Sequence, residues 1–572
     1  MTPMPPSGLR MVHRARAFAR RCDLVAVVAM LVLAVGAIQL AAGALSTGVT
    51  IDEPIEVDET RSWIEHGWYL PSGYLVDGEP DPANVLSNPY VYGPAFGAVA
   101  HGINVIAGNE EIGEIGDTSA SYDVRHLLTA LLAALAVATV GIATFFLIRS
   151  RRLGLWAAAG LLAVPVWTGH GFFNPKDIPA ACGYTLVTAA LLFALGGSAS
   201  GSLDTRRRIA IGGMLAAGVF IGAGTRLTLL VPFLLTLLVY AGLRLGQRQL
   251  GGIKWDPSTD IVVAVGAAAG FCGIVALYPE AAMSPLTLLV ESVSGSKAYP
   301  WHGFTLTAGR LASESTPWWY LPAWIAASYP LLLGGLALFG GVMGARLLIG
   351  SRGARWHGPL WGRPDLGLLL VLQQALLLPL GAVLTGAVMY DGMRQHLYAL
   401  PAIAILAGVG ADRLLRWAKD RKPARRWRAA ATGLLAIALL VPMAEQTLLF
   451  PYNYAYVSPI AGIGGVNGRW ETDYWFASGP EAGSHTPSAT TPECLLEFPS
   501  WPCDKDQLAL IETRQGQDVK GKWRNDSAGS WLILRRHAGN LPPEDCEQVD
   551  DVTRWLRGEQ VIMSYVLRCP PP

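Results

Sequence analysis

Charge is scarce in this chain. Only 15% of its 572 residues are Asp, Glu, Lys or Arg, and 52% are hydrophobic; a soluble domain usually carries about 25% charge. The deficit excludes an ordinary water-soluble globule and points to lipid as the main solvent. Neither sign dominates. The net charge is +1, so overall charge calls for no nucleic-acid partner. The sequence also lacks a Walker phosphate loop, zinc-ligand spacing and a GxSxG elbow, which leaves ATP-driven transport and serine hydrolysis without support. Cysteine is sparse and uneven. Of seven, Cys22, Cys182 and Cys272 lie in or beside apolar segments and read as small apolar residues. Cys494, Cys503, Cys546 and Cys569 fall in the polar tail and suggest two disulfides outside the cytoplasm. Four cysteines allow three pairings; Cys494–Cys503 with Cys546–Cys569 is the expected one.

What is present is a series of apolar runs separated by short basic clusters. The basic stretch from Arg10 to Arg21 precedes an apolar run from Leu24 to Leu45, too long for a cleaved signal peptide and better read as a retained anchor. Further spans are predicted at about 124–148, 154–172, 178–195, 209–224, 227–245, 261–278, 320–347, 366–389, 397–415 and 429–442, eleven in all. The run 91–107 is short and interrupted by Gly and Pro, and reads as an interfacial or re-entrant helix. With eleven spans, Arg149–Arg152, Arg206–Arg208, Arg244–Arg248, Arg346–Arg355 and Arg413–Arg428 all share the N-terminal side, as the positive-inside rule requires. The expected architecture is therefore a mainly α, polytopic membrane protein. It has a cytoplasmic N-terminus (1–23), a transmembrane domain (24–449, with a first outer loop at 46–122) and a small α+β extracytoplasmic domain (450–572). In that tail 508–511, 531–534 and 561–566 read as strands, and 547–557 as a short helix.

The outer loops hold most of the acids, aromatics and histidines. Asp52 and Glu53 follow the first helix, where paired carboxylates are costly unless they face water, a cation or a substrate. One can act as a general base, or the pair can hold a metal. Glu56, Asp58 and Glu59 read as a solvated helix face. Asn174-Pro-Lys176-Asp177 lies between two spans, with Asp177 at the positive end of the next helix dipole and an N-cap as its plainer role. Arg226 either snorkels or clamps a phosphate. Tyr390-Asp-Gly-Met-Arg394-Gln-His396 suits a phosphate leaving group. Tyr299-Pro-Trp301-His302 belongs either to an aromatic belt or to a sugar-stacking surface. Pro451 to Tyr456 and Trp470 to Trp475 follow the last span and can fold back over the membrane cavity.

These pieces, in this order, resemble the GT-C integral-membrane glycosyltransferases. The nearest likeness is the protein-mannosyltransferase-like group, which includes dolichyl-phosphate-mannose protein mannosyltransferases and the lipid A aminoarabinose transferase. Asp52-Glu53 matches the acidic pair after the first helix. Asn174 to Asp177 matches the acid of the next outer loop, and Tyr390 to His396 matches a late Tyr-x-Gly-x-Arg-His segment imperfectly, with Gln395 inserted. The resemblance spans roughly 23–475.

It implies a multi-pass protein of the cytoplasmic membrane that moves a sugar from a polyprenyl-phosphate donor to a glycan, lipid or protein acceptor, with inversion. Asp52, Glu53 and Asp177 would be catalytic. Lys176, Arg226, Arg394 and His396 would bind the donor phosphate, and Asn174, His302 and Tyr390 the substrate. A divalent cation, Mg or Mn, is the one cofactor the acids would admit, at Asp52 and Asp177. The competing reading is a lipid or sugar-lipid flippase or an assembly scaffold. A transporter places charges midway through its spans, whereas here they sit at span ends.

Overall fold

The computed structural model describes residues 23–199, 203–249, 257–301, 304–313, 316–350, 364–485, 493–495, 530–535, 542 and 544–569. The basic stretch before Asp23, His302, Cys503 and the 508–511 strand lie outside them.

Among the described residues, eight helices are long and apolar enough to cross a bilayer, and two bent pairs raise the number to ten. The unbroken ones are α1 (Leu24–Ser46), α4 (Ser119–Ile148), α7 (Asp177–Ala199), α8 (Thr205–Thr225), α9 (Leu230–Gln249), α10 (Pro257–Leu277), α14 (Leu368–Thr385) and α16 (Ala424–Leu449). The bent pairs are α5 (Arg151–Leu162) with α6 (Pro165–Phe173), at 66°, and α12 (Tyr320–Ser328) with α13 (Leu331–Gly350), at 116°. Each break has a proline behind it. Pro165 opens α6, and Tyr329, extended at φ −103 and ψ 129, precedes Pro330; proline disfavours helix in the residue before it. Ten of the predicted eleven meet this measure of length and composition, and the eleventh still runs between the two ends. The one not counted is α15 (Ala399–Asp420), whose last turns carry Asp412, Arg413 and Arg416. The run at 91–107 contains only α3 (Ala95–Ala107), 13 residues against the ~20 needed to span.

At the core lies α7, buried along nearly its whole length. A Cβ on its Gly183 would stand 2.4 Å from the Gly222 Cα of α8. The α13–α15 pair is closer still: a Cβ on Gly410 would lie 2.0 Å from the Leu336 carbonyl oxygen. Without a hydrophobic force between helices in lipid, such close backbone contact supplies the attraction. Gly410→Val should cost about 1–3 kcal/mol through overpacking, read as a lowered thermal midpoint in detergent; an unchanged midpoint would refute this packing.

Arg152 pairs with Asp23 at 3.0 Å, so α1 begins at the end that carries the basic clusters. The chain alternates from there. The opposite end gathers the exit of α1, the α6–α7 turn, the α8–α9 junction, the segment between α14 and α15, and the exit of α16. There the chain also places α2 (Glu53–His66), α11 (Pro285–Lys297) and the hairpin β1 (Phe304–Thr307) with β2 (Arg310–Ser313).

In the tail, β3 (Glu493–Leu495), β4 (Ser530–Arg535), β5 (Glu547–Leu556) and β6 (Glu559–Cys569) form one sheet in the order β3-β4-β6-β5. The predicted strands at 531–534 and 561–566 fall in β4 and β6. The helix predicted over 547–557 is strand β5, because Arg557 and Gly558, at φ 50 and 86, form a two-residue hairpin onto β6. A loop with both residues left-handed matches the twist of paired strands, and pairing overrides local helix pattern. Residues 451–478 pack on α6 instead: a Cβ on Gly169 would lie 2.3 Å from the Tyr454 nitrogen. Cys546 is disulfide-bonded; the side chains of Cys494 and Cys569 are outside the described set, as is Cys503, so the pairing is not described.

Candidate active site

Thr50-Ile-Asp52-Glu53 has the T-x-x-E spacing of a capping box. Glu53 accordingly turns back and accepts from Thr50 N at 2.7 Å and Thr50 Oγ1 at 2.9 Å. Its other oxygen meets His126 Nε2 at 2.6 Å, and His126 Nδ1 donates to the Ala44 carbonyl at 2.9 Å. Both carboxylate oxygens of Glu53 are therefore spent on holding the loop, and it stands as a positioning residue. Asp52 points the other way. It lines a cavity and lies 3.3 Å from Arg394 Nη1.

Positions 52, 56 and 59 share one helical face. The expectation of a solvated face fails for Glu56 and Glu59, which are buried and hold Lys176 Nζ at 2.8 and 3.3 Å. Burial, with Asp52 and Asp58 adding to it, raises the Glu59 carboxyl well above its ordinary value. Burial also pulls the Lys176 ammonium down to about 8, against the attraction of Asp52.

The cap of α7 is Asn174, not Asp177. Asn174 Oδ1 accepts from Lys176 N at 3.2 Å and Asp177 N at 2.8 Å. That leaves its Nδ2 to donate to Asp177 Oδ2 and His170 Nδ1, each at 3.0 Å. Asn174 is fully buried and orients Asp177, so the expectation that it binds substrate directly is not met by its position.

Relieved of capping, Asp177 takes Arg226 Nη1 at 2.9 Å and stands 3.8 Å from Arg394 Nη1. Arg394 reaches Asp391 through Nε at 3.0 Å, and its guanidinium lies over Trp475 at 4.7 Å and Tyr390 at 5.0 Å. Asp391, at φ 54, and Gly392, at φ 69, make the turn that brings this about. Arg226 is set by a backbone bridge to Tyr92, where Gly93 N donates to Thr225 O at 3.1 Å. A Cβ on Gly93 would meet the Gly224 oxygen at 2.6 Å, so only glycine fits.

Two cavities meet here. One, of 490 Å³, is lined by Asp52, Glu59, Lys176, Asp391 and Arg394 among many aromatics. The other, of 240 Å³, is walled mainly by apolar residues of α14 and its neighbours, with Arg226 and His396 also on its lining. Val91, Tyr92, Tyr299 and Tyr390 line both. Burial, with nearby Arg226 adding to it, lowers His396 to about 3, which favours the neutral ring. The predicted metal pair does not fit: Arg394 Nη1 stands 3.3 Å from Asp52 and 3.8 Å from Asp177. Among the described residues no group of three or more His, Cys, Asp or Glu is arranged to hold a metal. Sequence reasoning missed Tyr92 and the inward turn of Glu56 and Glu59, and gave Asp391 no role of its own within the Tyr390–His396 motif. The 52/56/59 spacing was a usable signal for the glutamates; Tyr92 had none.

Fold and site together define a multi-pass membrane protein with a charged, aromatic-walled centre at one end of its helices. No protein-family model and no curated protein sequence matches this chain. Among solved structures it is similar to ArnT from Cupriavidus metallidurans bound to undecaprenyl phosphate, at 14% identity and a TM-score of 0.45, over 94% of this chain and 97% of that one. It is also similar to the Archaeoglobus fulgidus oligosaccharyltransferase in the apo form, at 12% identity and a TM-score of 0.45, over 80% of this chain and 58% of that one.

Proposed function

We propose that this chain is an integral-membrane glycosyltransferase that moves a sugar from a polyprenyl-phosphate donor to an acceptor hydroxyl, with inversion, on the extracytoplasmic face. The observation that carries the reading is the meeting of an apolar cavity and an acid-bearing polar cavity beside the chain Arg226–Asp177–Arg394–Asp52. A lipid tail suits the first and a sugar the second. Arg226 holds the phosphate; its planar fork of five N–H groups has donors beyond those spent on Asp177, the Gln395 carbonyl and the Tyr92 hydroxyl. Arg394 offsets the charge that grows on the leaving phosphate. Asp52 takes the acceptor's proton as the hydroxyl oxygen bonds to the sugar carbon. The bond from that carbon to the phosphate oxygen breaks, and polyprenyl phosphate leaves with the electron pair. The basic clusters at the opposite end support a site outside the cytoplasm, because the positive-inside rule keeps such clusters on the cytoplasmic side.

The test is release of polyprenyl phosphate by purified protein from a panel of polyprenyl-phosphate sugars, with membrane or cell-wall extract as acceptor. Release supports a transferase; none from folded protein moves the assignment to a flippase or scaffold. Lys176, on the lining of the polar cavity, assists at the donor phosphate as a third cation and adds a pH signature. Its pKa of about 8 lies below that of free lysine, so it is charged below that pH and neutral above. Transfer should fall as pH rises through about 8, and Lys176→Arg should remove that limb, because arginine stays protonated. A limb unchanged in the arginine variant would free Lys176 of the role.

A further inference from the structure

Trp301 lies flat on Tyr390, with ring centroids 4.9 Å apart and planes 5° from parallel. Tyr299 adds a third ring, 5.9 Å from Tyr390 at 29°. The Tyr390 ring also packs against the Arg394 guanidinium, so the stack joins the charged centre. Trp301 is only half-buried and lines the polar cavity alone, whereas Tyr299 and Tyr390 line both cavities. The loop is held in place: Trp301 N donates to Tyr299 O at 2.8 Å, and Val388 N donates to Lys297 O at 3.0 Å. Also on the lining of this cavity are Asp52, Glu59 and Lys176.

We propose that Trp301, backed by Tyr390, is the carbohydrate platform of the polar cavity and sets which sugar ring it accepts, an inference that rests on the transferase reading above. A sugar ring has two kinds of surface, a weakly polar C–H face and a rim of hydroxyls. An aromatic face carries negative charge density that attracts polarised C–H groups, while carboxylates and an ammonium bind hydroxyls. A cavity offering both matches a sugar. A bare phosphate has no use for the rings, and a lipid tail has none for the charges. A ring with an axial hydroxyl on its stacking face cannot lie flat on Trp301, so the platform favours sugars with one unbroken C–H face.

The full-length protein in lipid nanodiscs would be titrated with undecaprenyl-phosphate-linked hexoses and pentoses and with bare undecaprenyl phosphate, in parallel with release assays. The unmodified protein should bind one sugar-linked lipid more tightly than the bare lipid. Trp301→Ala should weaken that sugar-linked binding roughly five- to tenfold, the scale of one aromatic contact, and leave the bare lipid unaffected. Trp301→Phe should restore most of the loss and Trp301→Leu, which has bulk without a π face, should not. The platform is overturned if no sugar-linked lipid outcompetes the bare one, if Trp301→Ala weakens both equally, or if leucine rescues as well as phenylalanine. The Phe/Leu comparison stands even where the alanine variant does not fold. Absence of release with sugar-dependent binding intact would count against the transferase reading and not against the platform.

Discussion

Asp52→Asn should abolish sugar transfer while the protein folds normally. Asp52 is the acid that the α2 entry turns into the polar cavity, its side chain is 23% exposed, and its ion pair is a 3.3 Å contact to Arg394. Asparagine keeps the shape and one acceptor oxygen, so little packing is lost. It cannot take a proton. Loss of a general base costs roughly 10²–10⁴ in rate, measured as polyprenyl phosphate released per minute at saturating donor. Glu53→Gln is the informative companion. Glu53 anchors Thr50 and His126, so its substitution should lower the thermal midpoint, which Asp52→Asn should leave in place. Full activity in Asp52→Asn would remove the base assignment outright.

Arg394→Ala should have the largest structural effect of any single change at the site. Its guanidinium is 5% exposed and lies among Asp52, Asp177 and Asp391. Removing it strands acids in a region with little water to solvate them. Breaking a buried pair from one side typically costs about 3–5 kcal/mol, so the variant should unfold at clearly lower temperature in detergent and release no lipid phosphate. Arg394→Lys keeps the charge but not the fork, and so cannot serve Asp391 and the Asp52–Asp177 side together. It should fold better than alanine and still turn over slowly. An alanine variant as stable as the unmodified protein would mean that the three acids find other partners, and the central role given to Arg394 would fall.

Much of the architecture was legible before any coordinates. Apolar runs at bilayer length located nearly every span, since lipid demands that each carry its own backbone hydrogen bonds. Basic clusters assigned loops to ends, and Asp23 with Arg152 ties two of those clusters' neighbours together. The misreadings were local. Arg557-Gly558 was a hairpin signal, yet the pattern before it looked helical, because a ten-residue strand against one neighbour need not alternate cleanly. The acids after Asp52 look solvated in sequence because a charged helix face usually is; their shared face is visible, but nothing local says that Lys176, over a hundred positions later, will fill it.

What the sequence determined by itself is the solvent, the approximate spans, and the set of polar side chains delivered to one end of them. Those follow from hydropathy and charge, which act over a single helix. Tertiary structure alone decided the pairing within that set. It sent Glu53 to His126 and Asp52 to Arg394, set Asp177 against two arginines, and laid Trp301 on Tyr390. These outcomes depend on distances of a few ångströms between segments tens to hundreds of residues apart. Buried charges and rings take the partners that packing brings within reach, and no local pattern encodes that reach.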